Sequence, residues 1–171
     1  MRWQEFIIDS YGRVLQALER SLDGLTQDDL NQQPHPDCNS MGWLTWHLTR
    51  GQDAMIAGLT EKEQIWISGG WYNKFNRPSD PKDTGFGHSS EDVAAFVSPD
   101  VDTLLGYHRA VLEQTKRYIS DLSETDLNRE MSGPFPTLGA RLAVILSDDL
   151  QHAGQVAYLR GLLKGKGWSN I

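Results

Sequence analysis

At 171 residues the chain is long enough for one domain with a substantial apolar core and short for two. Hydrophobic residues make up 39% and charged residues 23%, which excludes disordered and collagen-like chains. The formal charge of -7, from 16 Lys+Arg against 23 Asp+Glu with no basic run, disfavours nucleic acid as a partner.

The single cysteine, Cys38, leaves no internal disulfide and no multi-cysteine metal site, and it fits a reducing, cytoplasmic home. The N-terminal MRWQEFIIDSYGRVLQALERSL carries Gln4, Glu5, Asp9 and Arg13 among its apolar residues, unlike a signal peptide, and no window approaches a membrane span. A single domain over residues 1–171, with no membrane partner, is the expectation.

In chain order, Ile7, Tyr11, Val14, Leu15, Leu18 and Leu22 recur at three- and four-residue steps, which predicts an amphipathic helix over 3–23. LTQDDLNQQPHPDCNS follows as a turn region with a Thr26-to-Asp29 capping pattern and two prolines. A second helix is predicted after the cap residues Asn39-Ser40, ending near Leu59, with Trp43, Leu44, Gly51, Ala54, Met55 and Gly58 on one side.

Periodicity is lost from Thr60 to Pro99, where glycines, prolines and aromatics dominate and only SSEDVAAF reads as a short helix. A third helix is predicted over 100–122, with Leu104, Val111, Thr115, Tyr118 and Leu122 inward. The fourth follows GPFPT, runs from Leu138 to Lys164 and stops at GKG. Four amphipathic helices without alternating strands make the chain all-α, a four-helix bundle with a long connection between its second and third helices. LTQDDLN after the first helix and LSETDLN after the third echo one another, either as related helix pairs or through shared capping chemistry.

The fourth helix places polar residues where apolar ones belong. At roughly 100° per residue, His152 falls in the stripe of Leu138, Leu142, Ile145, Val156, Leu159 and Leu163, with Asp148 and Asp149 bordering it on either side. An unpaired carboxylate there is costly, so it needs a cation, a metal or strong donors. His47 occupies the inner stripe of the second helix, and metal sites in bundles are built from facing helices. His47, Asp148 and His152 therefore form a candidate set of two imidazoles and one carboxylate with a coordination position left open, suited to zinc or iron(II).

A lone inward histidine is more often a satisfied core residue than a ligand, and Asp148 has Arg141 or Arg50 as alternative partners. Asp149 is a candidate acceptor or ion-pair partner behind the ligands, and His108, also on an apolar stripe, a candidate ligand, proton carrier or cross-bundle hydrogen bond. Either of these two is the expected tuning or proton-shuttling residue. Trp43, Trp71, Phe86 and His88 are candidate walls of a ligand pocket, although clustered aromatics equally make a satellite core that pins a long loop. Cys38 reads as a small buried hydrophobe or as a thiol activated by the following helix terminus. Gly154, beside His152, permits close helix packing or access to the site, and no phosphate-loop fingerprint accompanies it.

NSMGWLTWHLTRGQDAM, DTGFGHSSEDV and DDLQHAGQVAYLRGLL together resemble the DinB/YfiT-like superfamily over nearly the whole chain. The resemblance implies up-down-down-up connectivity and a divalent metal, often zinc or nickel, held by one histidine of the second helix and an H-x-x-x-H pair of the fourth. His47 and His152 match two of these positions, and Asp148 stands where the third histidine is usual. Relatives include thiol-dependent S-transferases and isomerases that use mycothiol, bacillithiol or glutathione, and the resemblance makes a homodimer plausible. The expectation is a metal-dependent S-transferase joining a low-molecular-weight thiol to a small electrophile. The alternatives are a metal-dependent hydrolase or a non-catalytic stress-response module.

Overall fold

In the computed structural model, which describes residues 1–165, α1 (Trp3–Leu22) turns Tyr11, Val14, Leu18 and Leu22 inward along one stripe. The chain then makes α2 (Gln27–Asn31), a single helical turn where the sequence showed only capping residues. Thr26 Oγ1 accepts from the Asp29 N–H, and the Asp29 carboxylate accepts from the Thr26 N–H in return. Ser40 caps α3 (Met41–Thr60) by accepting from the Trp43 N–H.

The long connection holds α4 (Ile65–Ser68), α5 (Trp71–Lys74) and α6 (Ser90–Ala94). It is followed by α7 (Val101–Asp121), capped by the Asp100 carboxylate, and a 3-10 turn over Thr125–Asn128. Thr137 caps α8 (Leu138–Lys164). Gly165 closes α8 with its N–H on the Gly161 carbonyl, while Lys166 and Gly167 of the expected GKG stop lie outside the described residues.

The four long helices are α1, α3, α7 and α8, with α1 and α3 each packed between α7 and α8. Cross-helix contacts give their senses. Gln4 reaches the Leu122 carbonyl and Arg109 pairs with Glu19, so α1 and α7 oppose one another. Thr49 meets His108 and Gln52 meets Thr115, so α3 and α7 run together. His47 meets His152, and a side chain at Gly51 would touch Asp148, so α3 and α8 oppose. In chain order the helices run up, down, down, up, and the parallel α3–α7 pair requires the connection between them to travel the length of the bundle.

That connection alters α3. The sequence suggested one apolar side that included Ala54, Met55 and Gly58, whereas α3 is buried nearly all round: Trp46, Arg50 and Asp53 are fully covered, and Gly58 is exposed. The loop supplies the cover. Asp53 accepts from the N–H groups of Ile65 and Trp66 and so caps α4 from a distance. Arg50 donates to the carbonyls of Asp80, Pro81 and Asp83. The LTQDDLN and LSETDLN echo shares half of its capping: the Asp126 carboxylate accepts from the Ser123 N–H and hydroxyl as Asp29 does from Thr26, but the second segment forms a 3-10 turn without a side-chain cap in return. No helix among the described residues is long and apolar enough to cross a membrane.

Candidate metal centre

One turn of α8 carries Asp148 and His152 against His47 of α3, and one ligand atom from each lies within 4.8 Å of the others. His47 Nδ1 is 2.5 Å from the Thr84 carbonyl oxygen. A carbonyl only accepts, so Nδ1 carries the proton and Nε2 keeps its lone pair. His152 Nδ1 is similarly engaged with Gln155 Oε1 at 2.7 Å, which leaves its Nε2 3.5 Å from Asp148 Oδ1. His152 thus turns Nε2 toward the carboxylate, and both rings have Nδ1 tied down in the way that orients metal-ligating histidines, which leaves Nε2 of each as the free nitrogen. Trp43 stacks on His47 at 4.7 Å and 17°, fixing the ring plane.

The support behind His47 comes from the irregular segment 80–88. Arg50, one turn after His47, is fully buried and donates to Asp83 O at 3.0 Å and Gln64 Oε1 at 2.8 Å, with Asp53 3.6 Å away. Anchoring Asp83 places the next carbonyl, that of Thr84, over His47. Gly85 has φ +85, and a Cβ there would lie 2.9 Å from His47 Nδ1 and from the rings of Trp43 and Trp46. Only glycine allows this backbone to lie flat on the three rings. His88 completes the strap: its Nδ1 accepts from Trp43 Nε1 at 3.2 Å, so its Nε2–H donates to Asp83 at 3.1 Å.

Burial pushes the His47 pKa down, against the opposing pull of the Thr84 hydrogen bond, so this imidazole is neutral and ready to ligate. His152 shifts the other way, raised by its hydrogen bond to Asp148, and the same contact lowers Asp148. The surroundings therefore favour the neutral form of His47, and the His152–Asp148 contact favours the imidazolium and carboxylate forms of that pair. Asp148 is half-exposed, which opens the triad to solvent on that side.

The other expected site residues are placed elsewhere. Asp149 is 1% exposed and turned into the core, where neither carboxylate oxygen has a partner among the described residues. Burial and the neighbouring Asp148 charge hold it well above the usual carboxylate range. His108 is fully buried on α7, hydrogen-bonded to Thr49 and pushed down to about 4 by burial. Neither residue reaches the triad.

Trp71 packs on Gly106 and Tyr107 of α7, while Trp66 and Phe75 sit in the core, so these aromatics pin the connection instead of walling the site. Phe86 is 92% exposed between two left-handed glycines at the tip of the strap. Arg50 and Arg141 both bond elsewhere, leaving Asp148 without an arginine among the described residues. Cys38 is exposed. Sequence reasoning missed Thr84, whose backbone oxygen has no side-chain signature, and Gln155, which the three-residue step from His152 could have revealed. A concavity of about 620 Å³ between the start of the connection and α7, lined by Glu113, Arg117 and Asp121, shares no residue with the triad.

Fold and site together define a helical-bundle protein with a His-Asp-His candidate metal triad on facing helices. The family model of the DinB superfamily matches residues 10–156, and the chain belongs to that superfamily. It is also similar to a solved structure described as the conserved protein of locus from Enterococcus faecalis. The two share 29% identity and a TM-score of 0.87, over 97% of this chain and 99% of that one. The comparison with curated proteins gives no match.

Proposed function

We propose that the chain is a divalent-metal-dependent enzyme, with zinc or nickel first and iron as a further candidate, that joins a low-molecular-weight thiol to a small electrophile. The observation behind this reading is the convergence of one ligand atom each from His47, Asp148 and His152 within 4.8 Å, with the Nδ1 of both rings held by other groups. Two imidazoles and one carboxylate fit a catalytic site that keeps a position open. A divalent ion held there would supply Lewis acidity that keeps a thiol deprotonated near neutral pH. Thr84 and Gln155 hold the two rings, and Trp43 with the Gly85 backbone excludes water behind His47. In the transfer the S–H proton goes to solvent on the open Asp148 side, sulfur bonds to the electrophilic carbon, and the leaving group departs with its bonding pair.

A hydrolase that uses water in place of thiol is the second reading. Its support is Asp148 itself, whose negative charge makes the site less attractive to an anionic sulfur than three histidines would. Untagged Cys38→Ser protein, which lacks the chain's own exposed thiol, is reconstituted with zinc or nickel. One ion per chain is expected, lost in His152→Ala, and no stoichiometric ion in the parent would remove the proposal. Turnover of 1-chloro-2,4-dinitrobenzene that needs added thiol supports transfer, and thiol-independent release of chloride assigns hydrolysis.

A further inference from the structure

The α8 face that carries Asp148 and His152 continues toward the C-terminal end through Gln155, Leu159 and Leu162, at three- and four-residue steps. Along it lies a groove of about 630 Å³, bounded on the far side by Pro34, Asp37, Cys38 and Asn39 and by Leu44, one turn before His47. Its size falls within the range of small-molecule pockets, roughly 300–1,000 Å³. From His152 to Leu162 the helix advances about 15 Å. Gln155 belongs to both places: it lines the groove, and its Oε1 accepts from His152 Nδ1.

We infer that this groove receives the body of the substrate, and that the substrate is an uncharged, largely apolar small molecule whose reactive end reaches the triad. The inference rests on the metal-dependent reading above and names its substrate class. Three observations carry it. Pro34, Leu44, Tyr158 and Leu162 give the groove apolar walls, and among the described residues Tyr158 and Leu162 remain 69% and 57% exposed. No Lys or Arg lines it among the described residues, and its one charged group is the Asp37 carboxylate, so an anion entering it finds no cation and one like charge. Gly154 opens the helix surface toward it, since a Cβ there would meet nothing within 4 Å. Access to the groove, and not close helix packing, is thus what this glycine provides.

The exposed Cys38 lines the same groove and reports its occupancy. The experiment compares N-phenyl-1-naphthylamine with 1-anilinonaphthalene-8-sulfonate, which share a ring system and differ in the sulfonate. Fluorescence titration is read beside the rate at which iodoacetamide alkylates Cys38, with zinc-loaded and zinc-free protein. The neutral probe should bind about tenfold or more tighter than the sulfonate and slow alkylation. Gly154→Phe, which fills the groove, and Tyr158→Ala, which removes an exposed wall and threatens no core, should both lose binding and protection while zinc still binds the triad. Equal binding of the sulfonate, or protection that survives Gly154→Phe, would overturn the inference. So would probe-independent protection that rises with protein concentration, which assigns the face to a second copy of the chain. A failure of zinc to bind would sink the metal-dependent reading alone, because the probes also report on the zinc-free groove.

Discussion

Gly85→Ala tests whether the 80–88 strap positions His47. At φ +85 an alanine costs about 1 kcal/mol in backbone strain. Its Cβ would also stand 2.9 Å from His47 Nδ1, Trp43 and Trp46, and Trp46 is fully buried, so the rings cannot all retreat. Overpacking of this kind costs about 1–3 kcal/mol more. A total of about 2–4 kcal/mol lowers the thermal midpoint of a chain this size by roughly 5–15 °C. Relief of the clash lifts the Thr84 carbonyl off His47 Nδ1, and losing such a supporting contact weakens metal affinity about 10- to 100-fold. Gly87→Ala is the matched control, with φ +81 and nothing within 4 Å of its Cβ, so it should carry the strain without the metal effect. Thermal unfolding and chelator competition for zinc measure the two consequences. If Gly85→Ala binds zinc as tightly as the parent, the Thr84 carbonyl does not orient His47. If its midpoint also matches that of Gly87→Ala, the close packing of Gly85 is refuted as well.

The pH dependence of zinc affinity follows from the opposite shifts of the two histidines. His47, with its pKa lowered, is already neutral, and His152, with its pKa raised, must shed one proton, so affinity should fall about tenfold per pH unit below the His152 value and level off above it. A dependence of two protons per ion would refute this. In the ion-free chain the raised His152 value means that its pair with Asp148 stabilises the fold fully below about pH 6.5, the ordinary imidazole value, and is lost as pH rises through the folded value. Alkaline drift across neutrality should therefore lower the ion-free midpoint. Arg50→Met leaves Asp53 buried without its cation and should cost about 3–5 kcal/mol in denaturant unfolding; an effect below 1 kcal/mol would mean that the loop carbonyls do not depend on the guanidinium. Asp148→His should keep one zinc per chain but lower the pH at which thiol-dependent turnover reaches half its maximum, and an unchanged pH profile would show that the carboxylate does not set the acidity of the bound nucleophile.

Why was the bundle legible and its long connection not? The four long helices announce themselves through a 3.6-residue period sustained over 20 or more residues, and their ends through Ser40, Asp100 and Thr137, each of which caps as its type predicts. The third helix begins at Val101 and not at Asp100 because the capping aspartate keeps an extended ψ of 168°. By contrast, α4 and α5 span four residues each, too few to show a period, and α4 is capped by Asp53, twelve residues back in the chain. The triad could be read because helical phase turns His47 and His152 inward with Asp148 and Asp149 at either edge of the stripe, and the DinB resemblance selects Asp148 as the third member. The strap behind it could not, because its contribution is a backbone oxygen placed by the buried Arg50. Helical phase also placed Asp149 at the edge of the core, but it could not show that the carboxylate is buried there without a hydrogen-bond partner among the described residues, away from the ligands.

The aspartate at position 148 changes the charge logic of the whole site. Without an ion, the surroundings bias His47 toward its neutral form, and the His152–Asp148 contact lets the carboxylate be balanced within the cluster by a protonated His152. An ion that enters as +2 expels the His152 proton and leaves the site at +1, where three neutral imidazoles would leave it at +2. The weaker field polarises a bound nucleophile less, but it also attracts fewer anions. The groove beyond Gln155 follows the same preference, with apolar walls, one carboxylate and no cation among its described residues. A three-histidine site beside a cationic groove would gather anionic partners by charge. The proposed substrate would instead be held by apolar contact along α8, which makes the shape of the groove from Leu44 to Leu162 the proposed source of its selection.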